Sequence, residues 1–298
     1  MRVLHLFNWR LEDVKNELEK ISEQGFNAIQ INPIQPLKED GLREWWMSYQ
    51  PTGFSIGNYF GSKVDLKKLC FDAEKYNIRI IADVVCNHMA AKNDDALHPH
   101  EKVDSNLRDR SDFWKEARNV ENWKDRYQVT HYCMGLPGLN VAEHDLQDMI
   151  INFLNELIDC GVSGFRFDAA KSIGLPEEGY DFWPRVIYCL KKYGLIVYGE
   201  VIFSEKDLID KYCQYIGVLT NCEGSNRDRI VSFVESHDSN LDFGYTKTVD
   251  SCQIAREYRN LANYYENTLF YARPFDDTWK TDIVRQANNV GIKQYAYR

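Results

Sequence analysis

Apolar runs of strand length recur along the chain, and helix-patterned segments separate them. "RVLHLFNW" (2–9) is the first run. "LEDVKNELEKISEQG" follows, with Leu11, Val14, Leu18 and Ile21 at helical spacing and Gly25 as the stop. "FNAIQINP" is the next strand. Ser62 and Asp65 form a capping-box signature that opens a helix over "DLKKLCFDAEKY". "IRIIADVV" is apolar on both faces, as a strand inside a parallel sheet must be. A helix over 143–159, a strand over 163–168 and a helix over 178–193 come next, then the strand "LIVYGEV". Ser204 and Asp207 read as the cap of a helix reaching about 216, before a short strand at "GVLT". "IVSFVE", a helix over 251–266 and "TLFYAR" complete the series.

Eight strands alternating with helices predict an α/β protein with a parallel sheet, and eight units predict a closed (β/α)8 TIM barrel over 1–298. Two stretches depart from the repeat. Residues 86–142, with Trp114, Trp123, Tyr127 and Tyr132, are too long for a loop and predict a small subdomain inserted after the third strand, over 87–142. "NCEGSNRDR" is too short for a normal crossover, so the sixth helix is expected to be absent or one turn long.

Composition narrows the function classes. Hydrophobic residues make up 44% of 298, enough for one large core. The net charge is −9 and no Lys/Arg cluster stands out, which argues against nucleic acid as a partner. No apolar run reaches the roughly 18 residues of a membrane span. The N-terminus lacks the apolar core and cleavage site of a signal peptide. A cytoplasmic monomer is the expectation, with a secreted protein whose signal has been removed as the alternative. The eight cysteines contain no C-x-x-C pair, so no zinc site is expected.

In such a barrel the C-terminal strand ends carry the chemistry. Here they hold Asp83, Asn87 and His88 on the third strand and Arg166 and Asp168 on the fourth. Glu200 lies on the fifth, with Glu235, His237 and Asp238 after the seventh. Arg166 and Asp168 are two apart and share one side of their strand, facing the interior, while Phe165 and Phe167 face the helices. A buried carboxylate needs a partner, and Arg166 supplies it. An Arg–Asp pair alone is open to a packing role; Glu200, Asp238 and two histidines on the same rim point to catalysis. Converging carboxylates suit glycoside cleavage, with one as nucleophile and a protonated one as general acid. A metal site from Asp83, His88, Glu200 and Asp238 is the rival, weakened by the lack of an H-x-H pair on the first strand.

With these residues the sequence resembles the α-amylase family, glycoside hydrolase family 13. "DVVCNH" (83–88), "GFRFDAAK" (164–171), "GEV" (199–201) and "FVESHD" (233–238) are similar to four family motifs in the family's order, and "GFNAIQINP" and "GLPGLN" to two more segments. The resemblance implies a retaining α-glucan hydrolase acting on α-1,4 bonds of maltooligosaccharides or starch. Asp168 would be the nucleophile, Glu200 the acid and then the base, and Asp238 the group that holds sugar hydroxyls and stabilises the transition state. Arg166 would keep Asp168 ionised. His88 and His237 would bind the sugar, Tyr49 would stack on it, Trp45 and Trp46 would line the cleft, and Lys171 would reach the leaving-group side. Asp83 would be structural support. A transglycosylase with the same residues and a non-catalytic sugar-binding barrel are the alternatives.

Three departures qualify the resemblance. The family commonly uses Asn87 and an aspartate in the segment matching "GLPGLN" as calcium ligands, but Gly138 stands at that place. A weak or empty calcium site follows, and no required cofactor. Ser236 stands where the chloride-dependent branch has asparagine, so chloride activation is not expected. The family's β-rich C-terminal domain is not expected either, because about 25 residues follow the eighth strand.

Overall fold

Eight parallel strands close into a barrel: β1 Arg2–His5, β2 Ala28–Ile31, β3 Arg79–Val84, β4 Gly164–Phe167, β5 Ile196–Glu200, β6 Gly217–Thr220, β7 Ile230–Phe233 and β8 Asn267–Tyr271. Each pairs with its sequence neighbours, and β1 closes the ring on β8. This computed structural model describes residues 1–39, 41, 44–241, 250–273 and 276–289. The expected 1–298 extent of the barrel domain runs past them.

The apolar runs read as strands are strands because both faces are covered. Val3, Ala28, Ile81, Tyr198, Leu219 and Val231 fill the barrel interior. Outward-facing residues pack against the helices; the Phe167 ring meets Trp183 edge-on at 5.2 Å between centroids. Gly164 permits the close approach of β4 and β5, since a Cβ there would lie 2.4 Å from the Ile196 carbonyl oxygen.

Helix ends differ from the sequence expectation where local chemistry is spent elsewhere. The first helix breaks at Glu17 into Leu11–Asn16 and Leu18–Glu23, although its four apolar residues stay buried. The helix expected over 178–193 is Phe182–Tyr188, because Pro176 starts a separate 3-10 turn and Gly179 takes a left-handed conformation. The Ser62/Asp65 capping box forms. The Ser204 cap does not: its hydroxyl donates to the Ile202 carbonyl at 3.1 Å, and the helix runs Lys206–Tyr212. The helix Ser251–Tyr264 is capped by Asp250 at its start. At its end the buried Arg2 guanidinium takes up the Ala262 carbonyl at 2.8 Å, a favourable place for a cation.

The segment between β3 and the helix His144–Asp159 carries two short helices, Ser105–Arg108 and Arg126–His131, and pairs Glu116–Asn119 with Tyr132–Cys133. Backbone bridges join His88 to Gly138 and Trp114 to Leu139, fastening it to the end of β3. Between β6 and β7 the only helical turn is the 3-10 turn Arg227–Arg229, in keeping with the short linker. Among the described residues all eight cysteines are free, and no helix is long and apolar enough to cross a membrane.

Candidate active site

Asp83 and Arg166 are register partners on β3 and β4. The Arg166 side chain is 2% exposed and meets three carboxylates. Nη1 donates to both oxygens of Asp83 at 2.8 and 2.9 Å and to Asp168 Oδ1 at 2.7 Å. Nη2 lies 2.9 Å from Glu200 Oε2. The Tyr49 hydroxyl completes Asp83 by donating to Oδ2 at 2.9 Å. Asp168 Oδ2 remains on the far side from Arg166, 4.0 Å from His88 Nε2.

Glu200 also accepts a backbone hydrogen bond. The Ala169 N–H reaches Oε2 at 3.0 Å, and Ala169 takes a left-handed φ of 46° to present it. A non-glycine residue in that region carries strain, as residues at functional sites often do. With Oε2 facing both the Arg166 charge and the Ala169 N–H, Oε1 is the oxygen left to carry a proton.

One guanidinium faces three acids, and the set titrates as a unit. Burial pushes Asp83 up to about 7, against the pull of Arg166. Burial also raises Asp168 and Glu200; Arg166 opposes it, and Asp238 adds to it in both. Arg166 favours the ionised form of Asp168, as its place beside it led one to expect, but the guanidinium is divided among three acids, and desolvation outweighs its share, so the net shift is upward. Burial draws His88 down to about 4 and His237 to about 3, so both rings are neutral near pH 7.

Asp238 follows β7 in the short helix His237–Leu241, with its side chain 38% exposed. It shares a narrow pocket with Arg166, Glu200, Ser236 and His237. Glu235 turns away to a two-point pair with Arg273 at 2.7 and 2.9 Å. A surface depression between Ser105 and Met149 holds none of the strand-end acids.

The aromatic residues flank this rim. Trp45 and Tyr49 lie on one 3-10 turn, Trp45–Tyr49, with Trp46 between them and 43% exposed. Tyr49 is buried, its ring 5.2 Å from His237 and nearly parallel to it. Phe7 stacks on His237 at 4.4 Å. Sequence reading missed Phe7, whose only signal was its place at the end of the first strand. Lys171 Nζ donates to the Ile202 carbonyl at 3.1 Å and stands 5.4 Å from the Trp123 ring centroid.

The resemblance would give Asn87 to a calcium ion. Asp83 is occupied by Arg166 and Tyr49. Asn87 Oδ1 accepts a hydrogen bond from Lys115 Nζ at 2.8 Å. Among the described residues no three acidic, histidine or cysteine side chains are grouped to hold a metal ion. The side-chain oxygens of Asp83 and Asn87 are thus taken up by protein donors. Five buried polar atoms near the rim lack a hydrogen-bond partner among the described residues: His5 Nε2, His88 Nδ1, Arg166 Nε, His237 Nδ1 and Tyr271 Oη.

A closed parallel barrel with acids gathered at its C-terminal strand ends is the architecture of a barrel enzyme. A family model described as the alpha amylase catalytic domain matches residues 10–215, a span that contains Asp168 and Glu200 and ends before Asp238. The chain belongs to the α-amylase family, glycoside hydrolase family 13. It is 35% identical over 269 residues to an alpha-amylase of Clostridium acetobutylicum, covering 79% of this chain and 35% of that protein. It is 27% identical to an alpha-amylase of Butyrivibrio fibrisolvens, covering 94% of this chain and 32% of that one. The chain thus spans about a third of the length of these relatives. In fold it is similar to the alpha-amylase of Geobacillus thermoleovorans complexed with acarbose, with a TM-score of 0.77 at 18% identity over 96% of this chain and 77% of that one. The cyclomaltodextrin glucanotransferase CldA gives 0.72 at 15% identity over 94% and 71%.

Proposed function

We propose that this domain is a retaining α-glucan hydrolase that cuts α-1,4-glucosidic bonds of maltooligosaccharides or starch through a covalent glycosyl-enzyme. The observation that carries the reading is the Arg166 fork, which holds Asp168 and Glu200 side by side from adjacent strands. Retaining enzymes keep their two carboxyl groups about 5–5.5 Å apart, and inverting ones about 6.5–9.5 Å. Two acids sharing one guanidinium suit the shorter spacing.

Asp168 attacks the anomeric carbon through Oδ2, the oxygen that Arg166 leaves open. As that bond forms, the bond to the leaving sugar breaks, and Glu200 Oε1 gives its proton to the departing oxygen. Water then attacks the same carbon. Glu200 takes the water's proton, and Asp168 is released as the carboxylate. Asp238 binds ring hydroxyls across the rim and stabilises the oxocarbenium-like transition state. Neutral His88 and His237 hydrogen-bond the sugar, and the unpartnered polar atoms of the rim suit a ligand rich in hydroxyls. Trp45, Trp46 and Tyr49 form the apolar side of the cleft, and Lys171 meets the leaving-group side.

Chromatography of maltoheptaose digests tests the reading. Shorter maltooligosaccharides alone are the expected products. Products longer than the substrate would assign transfer to another sugar, and no turnover would assign a sugar-binding barrel. Proton NMR of the first products should detect the α-anomer; β-anomer first would contradict retention.

A further inference from the structure

Lys115 is a cation that the glycosidase chemistry does not use. It lies in the segment inserted between β3 and β4, just before the strand Glu116–Asn119, and is 9% exposed. Its Nζ donates to Asn87 Oδ1 at 2.8 Å and to the Ser172 carbonyl at 2.9 Å. Asn87 is the residue that the family resemblance would give to calcium. Ser172 closes the turn Ala170–Ser172 that follows Asp168.

Gly138 explains how the lysine reaches this place. The Lys115 N–H donates to the Gly138 carbonyl at 2.8 Å, and the lysine stem crosses the glycine. A Cβ on Gly138 would lie 2.7 Å from Lys115 Cδ and 3.3 Å from its Cβ and Cγ. The missing carboxylate and the buried lysine are therefore one feature. An aspartate at 138 would force the Lys115 stem to shift from its present path. A calcium ion needs about 6–8 oxygens at 2.3–2.6 Å. Here two oxygens that face one another are bridged by an amine.

We propose that the Lys115 head group takes the place of a metal ion between the insert and the catalytic rim, and so acts as a positioning residue for Glu200. The route is short. Lys115 fixes the Ser172 carbonyl, and the insert's Arg126 fixes the neighbouring Lys171 carbonyl through Nη1 at 2.7 Å. The turn they hold begins at Ala169, whose strained backbone aims its N–H at Glu200. Burial draws the Lys115 amine down to about 7. Both hydrogen bonds need only its N–H groups, which the charged and neutral forms both supply.

The experiment has a metal arm and a kinetic arm; only the kinetic arm rests on the glucan hydrolase reading. After EDTA dialysis, the wild-type protein is titrated with calcium chloride by calorimetry and melted with and without calcium. No binding heat and no shift in melting temperature are expected. The double variant Lys115→Ala/Gly138→Asp has room and a carboxylate, and it should gain calcium binding and a calcium-dependent rise in melting temperature. In the kinetic arm, Lys115→Met keeps the stem and loses the donor. Its kcat on maltoheptaose should fall about tenfold or more with KM little changed. Loosening the Ala169 N–H raises Glu200, because a donor to the anion favours the ionised form, so the basic limb of the pH profile should move to higher pH. Calcium binding to the wild type, with melting temperature lost in EDTA and restored by calcium, would overturn the replacement. Unchanged kcat and an unmoved basic limb in Lys115→Met would overturn the positioning role. If Lys115→Met does not fold, the wild-type calorimetry still decides the central point.

Discussion

Arg166 matters because its two terminal nitrogens divide one charge among Asp83, Asp168 and Glu200. A lysine there keeps the charge but is a single point, unable to span three acids. Arg166→Lys should therefore lower kcat on a maltooligosaccharide on the order of 10²-fold or more, the scale of losing one preorganised electrostatic group. Steady-state kinetics with a melting curve checks this. The pH profile follows from the same set. The proposed mechanism needs Asp168 ionised and Glu200 protonated, and burial raises both above their ordinary values near 3.8 and 4.5. The acid limb should lie above the free aspartate range, and the basic limb above the free glutamate range. Asp83, pushed up to about 7, carries its charge only toward neutral pH, so Asp83→Asn removes a negative charge there and leaves Arg166 to the other two acids. The basic limb should then move to lower pH in kcat/KM profiles while the acid limb stays nearly in place; a basic limb that does not move would remove Asp83 from the coupled set. Arg166 and Asp168 were legible in the sequence because two-residue spacing puts them on one strand face. The Asp83 contact was not, since it depends on the register between β3 and β4. Lys115 was not either, because it meets Asn87 only through the folding of the insert.

At the scale of elements, Ser62 and Ser204 make a controlled pair. Ser62 caps its helix through the Asp65 N–H and completes a reciprocal box. Ser62→Ala should cost about 1 kcal/mol. Ser204 bonds only the Ile202 carbonyl, so Ser204→Ala should be nearly silent. Urea denaturation of the two variants gives the comparison. The sequence motif was the same in both cases, and only the first formed, because a serine hydroxyl bonds whichever backbone group the chain brings closest. The strands were legible for a firmer reason: a run of apolar residues buried on both faces has few other places to go. Gly199 links β5 to the catalytic turn. A Cβ there would lie 2.4 Å from the Ala170 Cβ and 2.7 Å from Ile216 Cδ1. Gly199→Ala should cost about 1–3 kcal/mol by overpacking, and its activity loss should exceed the fraction unfolded because the turn after Asp168 must shift.

Across the whole molecule, the barrel supplies rigid strand ends and the inserted segment supplies cations, Lys115 and Arg126, to the turn beyond β4. The acids were separated in sequence by strands and helices, and closure of the barrel brings Asp168, Glu200 and Asp238 to one rim. That convergence was readable once eight strands were counted. The order of donors on each carboxylate was not, since it is set by side chains arriving from three different strands and one loop. In the proposed mechanism Asp168 forms the covalent bond while Glu200 handles the proton. The most direct measurement uses Glu200→Gln with an α-maltosyl fluoride, whose leaving group departs without a proton. The glycosyl-enzyme should form but hydrolyse slowly, and mass spectrometry of the digested protein should find the added maltosyl group on the peptide that carries Asp168. A maltosyl group on another residue, or β-maltose released with no adduct at any time, would contradict the account.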